Sequence, residues 1–109
     1  MTERHHKFLS SVKVFIPEER IYTDYLRRLA WGTDAGFYRL VPQIVVRAAN
    51  ESEMIRIIAT AAQNNVSLTF RAAGTSLSGQ SVSDSVLVVA AKNWEGYEVL
   101  DEGRKIRLQ

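Results

Sequence analysis

Apolar side chains at the start of the chain recur at helical spacing. Phe8, Val12 and Phe15 follow one another at intervals of three or four residues, and Pro17 comes shortly after them. Because proline disfavours the helical conformation of the residue before it, the run must stop near this point. The pattern predicts a first helix over residues 3–15.

A second helical run follows, with Thr23 expected to cap its start and Gly32 to end it. Its apolar members are Tyr25, Leu26, Leu29 and Ala30. The two helices have few apolar residues of their own to bury. We therefore expect both to lie on the main body or on further parts of a longer protein.

A strand and a longer helix open the main body. The continuous apolar run 44–46 is typical of a buried strand. Asn50 is expected to cap the next helix, with Glu53 completing a capping box, and residues 64–65 to supply a left-handed end. The predicted buried stripe of this helix is Met54, Ile57, Ile58 and Ala61.

The rest of the chain has the spacing of strands. Residues 66–70 alternate in polarity, residues 86–90 form an apolar run typical of a central strand, and residues 97–100 and 105–108 flank a turn containing Gly103. The first strand, helix and second strand make a βαβ unit, which should be parallel and right-handed. The predicted fold class is therefore α+β, a βαβ unit followed by a strand and a hairpin, with two preceding helices.

Composition excludes several classes of protein. With 109 residues the chain suffices for one small domain, and none of its apolar runs approaches the roughly 20 residues of a membrane span. A net charge of +2, without a basic stripe, argues against a nucleic-acid partner. The absence of cysteine fits a cytosolic protein and leaves no thiolate for a metal or a cluster.

Isolated polar and aromatic residues carry weaker signals. His5 and His6 are neighbours and point in different directions on a helix, which makes a poor metal pair and favours a solvated N-terminal turn. Tyr38 and Pro42 suit core packing better than the lining of a ligand site. Trp94, expected at the end of a strand, suits packing, with a cofactor or a partner domain as the alternative.

Residues 70–81 form the segment most informative about function. They are small and rich in hydroxyl groups, and Leu77 is the only bulky apolar side chain after Phe70. Small residues let a backbone approach a ligand and turn its N–H groups toward one point, as in phosphate sites. Thr75 and Ser76 could add hydroxyl donors and Arg71 a positive charge. A tight surface turn between two strands is the alternative.

Two common nucleotide-binding motifs do not fit this segment. The Walker-type loop needs a lysine after its glycines, and no lysine lies between Lys13 and Lys92. A dinucleotide fingerprint needs three glycines opening a helix, whereas only Gly74 and Gly79 are present and the next element is the strand at Val86.

The segment 71–80, Arg-Ala-Ala-Gly-Thr-Ser-Leu-Ser-Gly-Gln, together with the strand 86–90, closely resembles the pyrophosphate loop of FAD-linked oxidases. These flavoproteins carry the vanillyl-alcohol oxidase or PCMH type of FAD-binding domain. Residues 16–20 and 26–42 resemble the N-terminal lead-in of the branch that includes D-lactate dehydrogenases and the glycolate oxidase FAD subunit. The resemblance covers roughly residues 16–109.

This resemblance implies a division of the chain and a cofactor site. Residues 1–40 would be a helical lead-in, and residues 41–109 the incomplete first lobe of the FAD-binding domain. Arg71 would sit at the loop entrance, and the ribityl chain and flavin would lie nearer the second half of the loop. Residues 72–76 would face the diphosphate. The implied FAD-binding residues are Arg71, Ala72, Ala73, Gly74, Thr75, Ser76, Leu77, Gly79, Gln80 and Ser81.

The resemblance also implies an activity. We expect a piece of a longer FAD-dependent oxidoreductase that oxidises a 2-hydroxy acid such as D-lactate or glycolate, with no catalytic residue in this stretch and no activity alone. The branch often carries a C-terminal iron–sulfur region, and we expect a cytoplasmic location or the inner face of a membrane. We expect the 109 residues to self-associate. A non-catalytic module, binding another phosphate ligand or a protein through the same loop, is the alternative.

Overall fold

The computed structural model describes all 109 residues as a mixed α+β fold, which confirms the predicted class. Its helices are α1 (Glu3–Val12), α2 (Tyr25–Ala30) and α3 (Glu51–Gln63). Its strands are β1 (Ile21–Tyr22), β2 (Ile44–Arg47), β3 (Leu68–Arg71), β4 (Val86–Val89), β5 (Tyr97–Leu100) and β6 (Lys105–Leu108). Single 3₁₀ turns occupy Glu18–Arg20 and Asp101–Gly103.

Four strands form one sheet in the order β1-β2-β4-β3. Both β2 and β3 run parallel to β4, with Ile44 and Leu68 each paired to Val86. The predicted parallel arrangement of the βαβ unit is thus confirmed, although β4 is inserted between its two strands. Every residue of β4 is buried, as predicted for a central strand. The antiparallel edge strand β1 was not predicted, because two residues are too few to show alternation.

One face of the sheet holds the main hydrophobic core. α1 and α3 both pack on this face, and the fully buried Phe8 and Val12 fix α1 to the main body. Burial of each such side chain stabilises the fold by about 1.5–3 kcal/mol. The core members on the sheet and on α3 are Ile44, Val46, Val86, Val88, Ile57 and Ala61.

Part of the lead-in segment, residues 1–40, covers the opposite face of the sheet. Val45, Leu87 and Val89 are buried on this face, and Tyr22 and Trp31 pack against them. The sheet is therefore covered on both faces, and the lead-in shares its core with the rest of the chain.

The ends of the first two helices differ from the prediction. α1 ends at Val12, short of residue 15, because Ile16 reaches the core through a turn rather than through a further helical turn. α2 is capped by Asp24, whose carboxylate accepts a hydrogen bond from the Arg27 N–H at 3.0 Å. The predicted cap, Thr23, is wrong by one position.

α3 confirms most of its predicted features. Asn50 caps it by accepting from the Glu53 N–H at 2.9 Å, and Asn65 adopts the predicted left-handed conformation with φ 53°. In a complete capping box the Glu53 carboxylate would accept from the N–H of the cap residue, Asn50. This part of the prediction is wrong, since the carboxylate accepts from the Ala49 N–H at 2.8 Å. Ile58 is 46% exposed and lies outside the buried stripe.

The prediction of a solvated His5 is wrong, because His5 is buried. The Ser85 hydroxyl lies 2.8 Å from His5 Nε2 and donates to the Ser67 carbonyl at 2.9 Å, so it accepts from the ring N–H. The other ring nitrogen meets the Thr2 hydroxyl. This chain of hydrogen bonds ties the first turn of α1 to the start of β4.

Trp94 was expected to end a strand, but it lies five residues beyond the end of β4. Its indole N–H donates to the Ala48 carbonyl at 2.8 Å and its ring packs against the core, which confirms a packing role. The antiparallel β5–β6 hairpin is confirmed, with Gly103 at φ 90°. The longest helix has 13 residues, and no helix has the length and apolar character to cross a membrane.

Candidate functional site

The connection between β3 and β4 is the feature that builds the site. The two strands are parallel neighbours, so the chain must return from the C-terminal end of one to the N-terminal end of the other. Such crossovers usually contain a helix, but residues 72–85 cross without one. We call these residues the crossover loop.

The first half of the crossover loop carries a row of free donors. None of the six consecutive backbone N–H groups from Ala72 to Leu77 donates a hydrogen bond within the protein. The side chains in this row are small except for Leu77, which points into solvent with 72% of its surface exposed. A ligand oxygen can therefore reach the backbone along this row.

The middle of the loop, residues 78–80, has its backbone donors satisfied internally. The Ser76 hydroxyl oxygen accepts from the N–H groups of Ser78 and Gln80, each at 3.3 Å, and the same hydroxyl donates to the Gln80 side chain. The Gly79 N–H donates to the Asp34 carboxylate at 3.1 Å. The loop thus divides into an open row of donors and a closed turn that supports it.

Asp34 connects the closed turn to the lead-in segment. One carboxylate oxygen accepts from the Gly79 N–H, and the other accepts from the Gly36 N–H at 2.7 Å. The Ala35 N–H donates to the Ser76 carbonyl at 3.1 Å. The sequence analysis missed Asp34. Its local signal is an aspartate two residues before a glycine, which is typical of an Asx turn.

Two glycines of the loop occupy conformations that other residues rarely adopt. Gly74 has φ 73°, and a Cβ added there would lie 2.2 Å from the Arg71 guanidinium. Gly79 has φ 79° and packs beneath the Tyr38 ring, 3.2 Å from an added Cβ. Side chains at these positions would strain the backbone and push the loop away from its support.

Arg71 braces the entrance of the loop. It is the last residue of β3, its guanidinium lies 5.0 Å from the centre of the Trp31 ring, and it donates to the Thr33 carbonyl at 2.5 Å. The pKa of Arg71 is lower than usual, because burial lowers it and the nearby Asp34 carboxylate only partly opposes this effect. The side chain remains charged, since arginine is not deprotonated in proteins. Its Nε is buried without a hydrogen-bond partner.

The return arm of the loop is buried on the sheet. Ser81, Val82, Ser83 and Ser85 are all buried, and the Ser81 hydroxyl has no partner within the protein. The predicted site residues therefore fall into three environments. Ala72 to Leu77 form the open row, Gly79 and Gln80 donate their N–H groups within the closed turn, and Ser81 is buried.

The remaining candidate residues, Tyr38 and Pro42, lie in different surroundings. Pro42 is fully buried, as expected of a packing residue. The prediction of core packing is wrong for Tyr38, which is 57% exposed and whose ring lies over Gly79 of the loop. No group of three or more His, Asp or Glu side chains is placed to hold a metal ion.

The family described as FAD binding domain matches residues 42–109. No curated protein matches the chain.

Among solved structures, an alkyldihydroxyacetonephosphate synthase has TM-score 0.71 and 18% identity, covering 87% of this chain and 20% of that one. A p-cresol methylhydroxylase with bound substrate has TM-score 0.67 and 7% identity, covering 93% and 20%. The BBE-like 1 protein of Physcomitrella patens has TM-score 0.59 and 20% identity, covering 84% and 20%. These likenesses show a shared fold, and the chain spans about a fifth of each of these proteins.

Proposed function

Because the chain belongs to the FAD binding domain family, we propose that its crossover loop holds the diphosphate of FAD in a flavin-dependent oxidoreductase. The observation that carries this proposal is the row of six unpaired N–H groups from Ala72 to Leu77. A diphosphate offers only acceptors, and successive backbone N–H groups that converge on one region form a favourable anion site.

The surroundings of the row also suit an anion. Arg71 places a positive charge at the entrance, next to Gly74. The absence of a side chain at Gly74 leaves room for this guanidinium to lie against the loop backbone. The closed turn fixes the shape of the loop before any ligand binds, so less conformational entropy is lost on binding.

The division of labour in such an enzyme follows from these contacts. FAD supplies the redox chemistry, and the protein supplies binding and orientation. In this chain the loop would hold the diphosphate, and the lead-in segment would hold the loop through Asp34 and Arg71. No residue of the chain is assigned a role in proton or hydride transfer.

We further propose a 2-hydroxy acid, such as D-lactate or glycolate, as the substrate of the whole enzyme. The support is the resemblance of residues 16–20 and 26–42 to the lead-in of that branch. The fold alone does not identify the substrate, since the solved structures that share it include a synthase and a methylhydroxylase. An iron–sulfur cluster would need ligands from outside these 109 residues, because the chain has no cysteine.

The loop assignment can be tested by titrating the chain with FAD and following backbone amide signals by NMR. We expect weak binding, because one wall encloses only part of the cofactor and tight sites bury most of their ligand. The shifts should concentrate on residues 72–77. Gly74→Val should abolish them, because a β-branched side chain at positive φ displaces the loop.

Gly103→Val is the matched control. It places the same side chain at φ 90° with nothing within 4 Å of the added Cβ, far along the chain in the hairpin turn. It should carry a similar backbone strain and keep FAD binding. Retention of the shifts in Gly74→Val would contradict the assignment. Equal shifts with pyrophosphate and FAD would favour the general phosphate module over a flavin site.

A further inference from the structure

A second pocket lies at the C-terminal ends of β2 and β4. Its volume is about 200 Å³, and none of the residues 72–85 lines it. Arg47 and Val89, the last residues of the two strands, are register partners and form part of its wall. In open α/β sheets, ligands bind in the crevice outside the carboxyl ends of the strands.

The charges around this pocket are unbalanced. Three basic residues and no acidic residue line it. Arg20 is neutralised by a two-pronged pair with Glu53 at 2.7 and 2.8 Å. Arg47 donates only to the Tyr22 hydroxyl at 3.1 Å, and Lys92 makes no hydrogen bond or salt bridge. Two positive charges therefore face the pocket without a carboxylate partner.

The shape of the pocket limits what it can hold. It is smaller than the roughly 300–1,000 Å³ clefts that enclose larger organic ligands. Trp31 and Val89 supply apolar walls, which strengthen electrostatic attraction by excluding water. The fork of donors on an arginine matches the oxygens of a carboxylate or a phosphate.

We infer that this pocket binds a small oxyanion, a phosphate or carboxylate group, held by Arg47 and Lys92. Such a ligand would accept from guanidinium N–H groups of Arg47 that have no acceptor in the protein, and from the Lys92 ammonium. The amide side chain of Asn93, on the same wall, can add a neutral donor. The site is separate from the crossover loop and does not depend on the binding of FAD.

The test uses the 109-residue chain and NMR titrations with inorganic phosphate and, in a separate arm, acetate. Chloride at matched ionic strength corrects for general screening. We expect saturable shifts of the Arg47, Lys92 and Asn93 amides and of the Trp31 indole. Saturation by phosphate alone assigns a phosphate ligand, and saturation by acetate assigns a carboxylate.

Arg47→Gln and Lys92→Gln should each weaken binding about tenfold, because each removes a charge-assisted contact. Lys92 is exposed, so its variant should fold even if Arg47→Gln does not. Lys105→Gln, on the exposed hairpin, is the charge-matched control and should bind as the unmodified chain does. The inference is overturned if neither anion saturates these signals, or if phosphate shifts residues 72–77 alone. The same spectra report on the two sites separately.

Discussion

At the scale of single residues, Asp34 determines the conformation of the closed turn in the crossover loop. The two carboxylate oxygens of Asp34 accept from the N–H groups of Gly36 and Gly79. Asparagine has only one side-chain oxygen, so in Asp34→Asn the amide NH₂ would face one of these N–H groups and that hydrogen bond would be lost. Loss of a hydrogen bond to a charged group costs about 1.5–3 kcal/mol. We expect hydrogen exchange at the Gly79 amide to accelerate by about tenfold or more, and the FAD-induced shifts of residues 72–77 to weaken.

Asp84→Asn is the control for this prediction, because Asp84 is an exposed aspartate of the same loop and the charge change is identical. It should leave exchange at Gly79 unchanged. Equal protection of Gly79 in both variants would show that Asp34 does not hold the turn.

At the scale of elements, the attachment of α1 should depend on pH through His5. Burial is the main cause that lowers the pKa of His5, and the nearby Arg4, N-terminal amine and His6 act in the same direction, while Asp84 opposes them. The unfolded chain, with a histidine pKa of 6.5, therefore takes up a proton before the folded chain does. The full stability is present above pH 6.5 and declines as the pH falls below it.

Urea unfolding at pH 7.5 and at pH 5.5 measures this dependence. The chain should lose stability at the lower pH, and His5→Gln should lose less between the two values because it removes the titrating group. The exposed His6 provides the control: it is the smallest of the causes that lower the pKa of His5, so His6→Gln should keep most of the dependence. An unchanged dependence in His5→Gln would assign the effect to other groups.

The elements also show what sequence could and could not predict. α3, β4 and the hairpin were predicted because each pattern runs over enough residues to distinguish helical from alternating spacing. Within the site, the row of small residues indicated the loop itself. The hydrogen bond between Asp34 and Gly79 joins positions 45 residues apart, and the bond between His5 and Ser85 joins positions 80 apart. Such contacts arise from the folded sheet, and no local pattern reveals them.

At the scale of the whole molecule, the β5–β6 hairpin presents an uncovered apolar face. The register pairs Tyr97 with Leu108 and Val99 with Ile106, so all four side chains lie on the same face of the hairpin. Each is more than half exposed. The radius of gyration, 15.0 Å, exceeds the roughly 13 Å typical of a compact domain of this size. A larger surface therefore remains exposed than in such a domain.

We propose that a second copy of the chain covers this face. A contiguous exposed apolar patch marks an interaction site, and β3, an edge strand of the main sheet, offers further unpaired backbone groups. Light scattering at micromolar concentration should give an average mass above 12.3 kDa that rises with concentration. Ile106→Lys should lower that mass because it places a charge within the patch, whereas Val14→Lys, at an exposed position after α1, should not. A constant mass of 12.3 kDa at every concentration would show that the hairpin face stays uncovered in solution.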